Sequence, residues 1–266
     1  MKKALNVFIW AIGVLAVFQA PGAYCQELTV EEIIDRANLA AYYAGNDGKA
    51  DVEMVISDSQ GRARTRQFRI LRLNIEKGGE QKFYVYFQKP ADVSKMVFMV
   101  WKHLKGDDDR WLYLPALDLV RRIAAGDKRS SFAGSHFVYE DVSGRGVHAD
   151  AHELADSSGD HYKIKNVPKD TNGVEFAYYL VWIDKANFVP VKAEYYNSRD
   201  ELIRVIEALE ITDMQGYPTV TKSVARDLGR GGQTTMTFTG VEYDIGLTED
   251  VFEERYLRRA PVKWVR

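Results

Sequence analysis

From residue 51 to residue 243 the chain repeats one pattern. Runs of β-branched and aromatic residues alternate with short breaks rich in Gly, Asn, Asp or Pro. The breaks include Ser59-Gln60-Gly61, Gly78-Gly79, Asp170-Thr171-Asn172-Gly173 and Gly216-Tyr217-Pro218. A chain punctuated this often cannot build long helices; it predicts an antiparallel meander of strands. Strands are expected over residues 51–58, 62–73, 82–89 and 96–104, and again over 162–167, 174–183, 189–196, 202–211, 219–227 and 234–243. Two runs, Phe83-Tyr84-Val85-Tyr86-Phe87 and Val97-Phe98-Met99-Val100-Trp101, do not alternate. A strand that is apolar on both sides is covered on both faces.

Helical signals sit only at the ends. Residues 28–43 carry Thr29 and Glu32 in capping-box spacing, followed by an apolar face containing Ile33, Ile34 and Ala37. Residues 250–257 read as a short C-terminal helix docked through Phe252, Tyr256 and Leu257. Residues 1–25 have the pattern of a cleavable signal peptide: Lys2-Lys3, an apolar run, then Ala23-Tyr24-Cys25. Pro21-Gly22-Ala23-Tyr24 is a poor lipidation signal, so cleavage is expected after Cys25, leaving no cysteine and one domain over residues 26–266. Loss of the two lysines takes the formal net charge from -2 to -4. A mildly acidic chain is a poor partner for nucleic acid.

The stretch 109–141 is the most distinctive. Trp111-Leu112-Tyr113-Leu114-Pro115 and Leu119-Val120-Arg121-Arg122-Ile123 read as two strands joined at a turn. Residues 131–141 follow, with Phe132, Phe137 and Tyr139 beside Glu140-Asp141 and a Gly134-Ser135 break. Such a segment either packs back into a core or caps an opening. W-L-Y-L-P, then R-R-I, then S-F-x-G-S-x-F-x-Y-E-D resembles the outer-membrane lipoprotein-sorting family, the LolA-like periplasmic carriers, several of which accompany RND-type lipid exporters. His136 stands where the family pattern has an acid. The resemblance implies a mostly β (α+β) fold, a strongly bent antiparallel sheet forming an incomplete β-barrel covered by helices.

No catalytic signature is legible. There is no Gly-x-Ser-x-Gly, and Ser130, Ser131 and Ser135 beside His136 are loop neighbours rather than a triad. His148 and His152 are four apart, yet the glycines before them argue for a loop rather than a metal-binding helix. Asp107-Asp108-Asp109 lacks the calcium-loop spacing. No cofactor is expected.

What remains is a surplus of large apolar side chains. Phe83, Val85 and Phe87 on one strand, Phe98, Val100 and Trp101 on the next, Trp111 and Tyr113, and farther on Tyr178, Leu180 and Trp182 are either ordinary core or the lining of a cavity for acyl chains. Phe132, Phe137 and Tyr139 are the candidate gate. Arg110, Arg121 and Arg122, with Arg129 nearby, pair with acids such as Asp118, Asp127 and Glu140, or meet a headgroup or a lid. The reading is a monomeric, non-enzymatic periplasmic carrier for lipid or lipoprotein acyl chains. The exporter partner rests on the resemblance. The alternative is an envelope scaffold with a filled core.

Overall fold

A computed structural model describes residues 27–265; the expected signal peptide lies outside the described residues. Helix α1 (Val30–Tyr42) leads in. Its capping box is formed, with Thr29 N–H donating to Glu32 Oε2 at 2.8 Å and Glu32 N–H to Thr29 Oγ1 at 3.2 Å. At the other end, Arg72 and the Gln81 amide donate to the Tyr42 carbonyl at 2.8 and 2.7 Å. A cation at a helix C-terminus also complements the helix dipole.

Six strands follow as a meander: β1 (Asp47–Ser57), β2 (Ala63–Asn74), β3 (Gln81–Lys89), β4 (Val97–Lys102), β5 (Asp109–Leu114) and β6 (Leu119–Arg122). Residues 123–149 contain only short turns and one brief helix, α2 (Tyr139–Ser143). A second meander completes the sheet with β7 (Asp150–Asp156), β8 (His161–Pro168), β9 (Tyr178–Asp184), β10 (Pro190–Tyr196), β11 (Leu202–Met214), β12 (Tyr217–Asp227) and β13 (Gln233–Tyr243). Strand β7 was not anticipated. Its residues Asp-Ala-His-Glu-Leu-Ala-Asp lack β-branched side chains, and pairing with β8 overrides that weak propensity.

The two meanders join through β1 and β13, giving one thirteen-stranded antiparallel sheet with β6 and β7 at its edges. These edges are consecutive in sequence, and they do not pair. Residues 123–149 therefore cross the gap where a barrel would close, which makes the sheet an incomplete barrel.

Strands β2 to β5 are covered on both faces, as the non-alternating runs on β3 and β4 require. Inward, Val52, Met54, Phe68, Phe83, Val85 and Phe98 pack with Phe132 and Phe137 of the crossing segment. Outward, Leu71, Tyr84, Val97, Met99 and Trp111 pack against Phe252, Leu257 and Val265 of the C-terminal tail. The tail is a 3₁₀ turn (Glu249–Phe252), α3 (Arg255–Arg258) and α4 (Val262–Val265) rather than one helix over 250–257. It lies on the outer face, so covering elements occupy both faces of the sheet and not one. Tyr84 and Trp101 donate to the Tyr256 and Phe252 carbonyls at 2.7 and 2.9 Å. Asp47 accepts from the N–H groups of Ile245, Gly246 and Leu247 at 2.8–3.0 Å, fastening the tail to β1. On the inner face of the second meander, α1 lays Ile33 and Ala37 against Ile164 and Ile183.

Candidate functional site

The inner face of the sheet, α1 and the crossing segment enclose a cavity of about 480 Å³, within the range of small-molecule pockets. Its walls are mainly apolar. Alternation on each strand sets which side chains reach it: Phe68 and Ile70 on β2, Val181 and Ile183 on β9, Ile206 and Ala208 on β11, Met236 and Phe238 on β13. Helix α1 contributes Ile34, Ala37 and Ala41, and the crossing segment contributes Phe132, Phe137 and Val142.

One end of the cavity is polar. Arg129, Glu140, Asp141, Arg145 and Asp150 line it beside Tyr179 and Tyr195. Arg145 meets Asp150 at 2.8–3.1 Å and Glu140 at 3.2–3.3 Å. Arg129 reaches Glu140 at 3.3 Å and Glu175 at 2.5 and 3.0 Å. Burial alone would depress both guanidinium groups, but the carboxylates outweigh it and hold them above the ordinary arginine value. Burial first, and the Asp150 carboxylate second, push the Tyr179 phenol well up. Buried charges are retained when paired, as these are.

The crossing segment is tied down at several points. Arg204 on β11 donates to the His136 carbonyl at 3.2–3.3 Å and pairs with Asp141. His136 N–H and Nδ1 both meet Thr234 Oγ1, at 3.0 and 2.8 Å. That gives the unexpected histidine a structural contact of its own. Lys102 donates to the Ser143 and Gly144 carbonyls at 2.8 Å each, and burial lowers its pKa. Gly144 has φ of 77°, and a Cβ there would lie 2.7 Å from the Tyr42 ring. Only glycine permits that approach.

The sequence-based candidates distribute as follows. Of the expected lining residues, Phe83 stands on the cavity wall. Val85, Phe87, Phe98 and Val100 are fully buried in the core beneath the crossing segment. Trp101, Trp111 and Tyr113 face outward into the tail cluster. Tyr178, Leu180 and Trp182 are a phase error: their neighbours Tyr179, Val181 and Ile183 take the cavity side. Period-two alternation sends the other set outward, where Tyr178 stacks on Tyr196 at 4.9 Å and Trp182 lies between Lys163 and Lys192. The gate candidates Phe132 and Phe137 are on the cavity wall. Tyr139 packs behind them on Phe98 at 5.0 Å.

Among the arginines, Arg121 and Arg122 lie exposed on β6, paired with Asp127 and Asp109. Arg110 is buried and bonded to Asp108 at 2.5 Å. None of the three lines this cavity, and Arg121 meets the crossing segment through its exposed 3.6 Å pair with Asp127. Arg204, Arg145 and Lys102 do the holding, and the sequence reading missed them. The signal for Arg204 was its place in the alternation Arg204-x-Ile206-x-Ala208, which puts it on the inward face with Ile206.

The ionic end makes an acid-dependent contribution. Burial raises the Glu175 pKa, but the Arg129 bond outweighs it, so the folded value is below 4.5. A depressed carboxylate adds stability that is complete above its unfolded value and is lost as pH falls through the folded one. Glu175→Gln is therefore expected to flatten part of the fall in melting temperature below pH 4.5 and to leave its slope above pH 6 unchanged. An identical acid limb in both proteins would contradict this.

Comparison with known proteins agrees with this architecture. A family model described only as an uncharacterized protein matches residues 79–259. No curated protein matches significantly. A DUF1329 family protein from Desulfovibrio piger superposes with a TM-score of 0.77 at 27% identity, covering 86% of this chain and 98% of its own. An outer membrane lipoprotein-sorting protein domain from Vibrio parahaemolyticus gives 0.77 and 27%, covering 87% and 100%. A LolA superfamily protein from Nitrosomonas europaea, at 17% identity, shares the fold with a TM-score of 0.68 over 86% of this chain and 100% of its own. With the motif run of residues 111–141 and an open sheet crossed by its own edge-to-edge segment, the chain belongs to the family of the model that matches residues 79–259, and it has the LolA-like fold of these similar structures.

Proposed function

We propose that the mature chain, residues 26–266 after removal of a signal peptide, is a monomeric periplasmic carrier that shields acyl chains of a lipid or lipoprotein and performs no catalysis. The observation that carries this reading is the apolar cavity of about 480 Å³ between sheet, α1 and the crossing segment. Burial of each methylene stabilises a complex by about 0.8 kcal/mol. Ten buried methylenes would supply about 8 kcal/mol before the cost of immobilising the chain. The crossing segment serves as the gate, since Phe132 and Phe137 form part of the wall and its polar anchors can exchange with water. The Vibrio parahaemolyticus relative supports the lipoprotein-sorting side of the reading. An inner-membrane exporter of RND type is the proposed donor, by family resemblance.

Native mass spectrometry of protein purified from a periplasmic extract, with lipid extraction of the same sample, tests this. A stoichiometric, extractable amphiphile is expected. Ile206→Trp, which would fill the cavity, should weaken binding of a fluorescent fatty acid at least tenfold while preserving the fold. A bare polypeptide mass together with no fatty-acid binding would replace the carrier by a scaffold acting through its surface.

A further inference from the structure

A second pocket, of about 370 Å³, opens beside the first at the end of the sheet where the β4–β5 turn meets residues 144–149 and 169–174. It is polar where the main cavity is apolar. Arg110, Lys102, Lys128, Arg145 and Lys169 line it, with Asp107, Asp108, Glu140 and Asp170 as the carboxylates. Period-two alternation explains the core of the cluster. Arg110 pairs in register with Val100 on the inward face of the sheet, and Lys102 is the next inward residue on β4.

Arg110 is the unusual member. It is only 2% exposed. Asp108 takes Nη2 at 2.5 Å, while Nε and Nη1 have no hydrogen-bond partner among the described residues. A buried, unpaired donor is costly, and a guanidinium that spends only part of its fork on protein has capacity for another acceptor. The acids around it do not supply one. Glu140 is engaged by Arg129, Arg145 and Lys128 at 3.2–3.6 Å, and Asp108 already faces Arg110 Nη2. Arg66 also has unpaired nitrogens, but it lines neither pocket.

We propose that this pocket binds a phosphate-type oxyanion, with Arg110 as the main donor and Lys128 and Lys169 as the cationic surround. Oxygen anions accept charge-assisted bonds from arginine strongly, and a tetrahedral anion can take donors from several walls at once. The pocket shares Asn38, Glu140, Arg145, Gly146 and Val147 with the wall of the apolar cavity. An amphiphile with its chains in the cavity could therefore set a phosphate head against Arg110. That source rests on the carrier reading; the oxyanion site itself does not.

The test is a calorimetric titration of the mature protein with dihexanoyl phosphatidic acid, dihexanoylglycerol and inorganic phosphate. Wild type is expected to bind the phosphatidic acid at least tenfold more tightly than the neutral diacylglycerol. Arg110→Gln should abolish that preference and leave diacylglycerol affinity unchanged. Lys169→Glu, a reversal on the exposed rim that leaves the buried residues in place, should reduce the preference several-fold even if the Arg110 variant fails to fold. Binding of free phosphate that depends on these residues, without a lipid preference, would uphold the site and overturn the headgroup as its source. If neither lipid binds, the carrier reading fails, and the phosphate titration alone decides the site. Lipid preference and phosphate binding that both ignore the two substitutions would overturn the proposal.

Discussion

Phe132→Ala is expected to cost about 3–5 kcal/mol of stability, the usual range for truncating a fully buried aromatic. Phe132 is 1% exposed. Its ring lies 5.9 Å from Phe68, 5.7 Å from Phe87, 5.6 Å from Phe98 and 5.8 Å from Tyr139. It wedges the crossing segment into the core of the first meander by shape rather than by charge. Its backbone N–H also donates to the Phe137 carbonyl at 2.8 Å, which links the two phenylalanines across the turn that carries them. Urea unfolding should report the loss. Hydrogen exchange should show it concentrated in residues 131–141, because the sheet beneath keeps its own contacts. Phe137→Ala, at a wall residue with 6% exposure, should cost less and mainly speed release of a bound fatty acid. A loss below about 1 kcal/mol for Phe132→Ala would mean the segment is held elsewhere.

Arg204→Met is expected to cost about 3 kcal/mol, at the low end for breaking a buried ion pair. Arg204 is 6% exposed and stands over the Tyr195 ring at 5.2 Å. Removing it strands Asp141, which keeps the Val138 N–H at 2.7 Å and Arg129 at 3.9 Å. It also leaves the His136 carbonyl without its guanidinium donor. The penalty sits at the low end because Arg129 stays close to the orphaned carboxylate. Adding Asp141→Asn should recover part of the loss, since a neutral amide is cheaper to bury unpaired than a carboxylate. Thermal melts of the two single variants and the double variant measure this coupling. Strict additivity would show that the pair does not hold the crossing segment.

The strands of both meanders other than β7 were legible because turn residues punctuate them at short intervals, and because double-sided apolar runs announce double-sided burial. Helix α1 was legible from Thr29 and Glu32, a local signal with a local cause. Phase was harder. The run 178–183 is large and apolar at almost every position, so nothing local separates Tyr179, Val181 and Ile183 from Tyr178, Leu180 and Trp182. Pairing with β8 and β10 selects the first set for the cavity. Trp101 and Trp111 read as cavity lining because nothing in their own strands reports that the C-terminal tail returns to cover the outer face.

The charged residues divide along the same line. Arg129 and Glu140 drew notice through their place in the motif-bearing stretch. Arg204 and Lys102 did not, because their partners lie 68 and 41 positions away. The sequence by itself determined an antiparallel sheet, its capped leading helix and the aromatic crossing stretch, since each follows from contacts or backbone preferences within a few residues. Only the tertiary structure decided which face of each strand encloses the cavity, which arginines hold the crossing segment, and that Arg110 is buried with donors to spare. Those are properties of sheet register and long-range pairing, where a shift of one residue exchanges inside for outside.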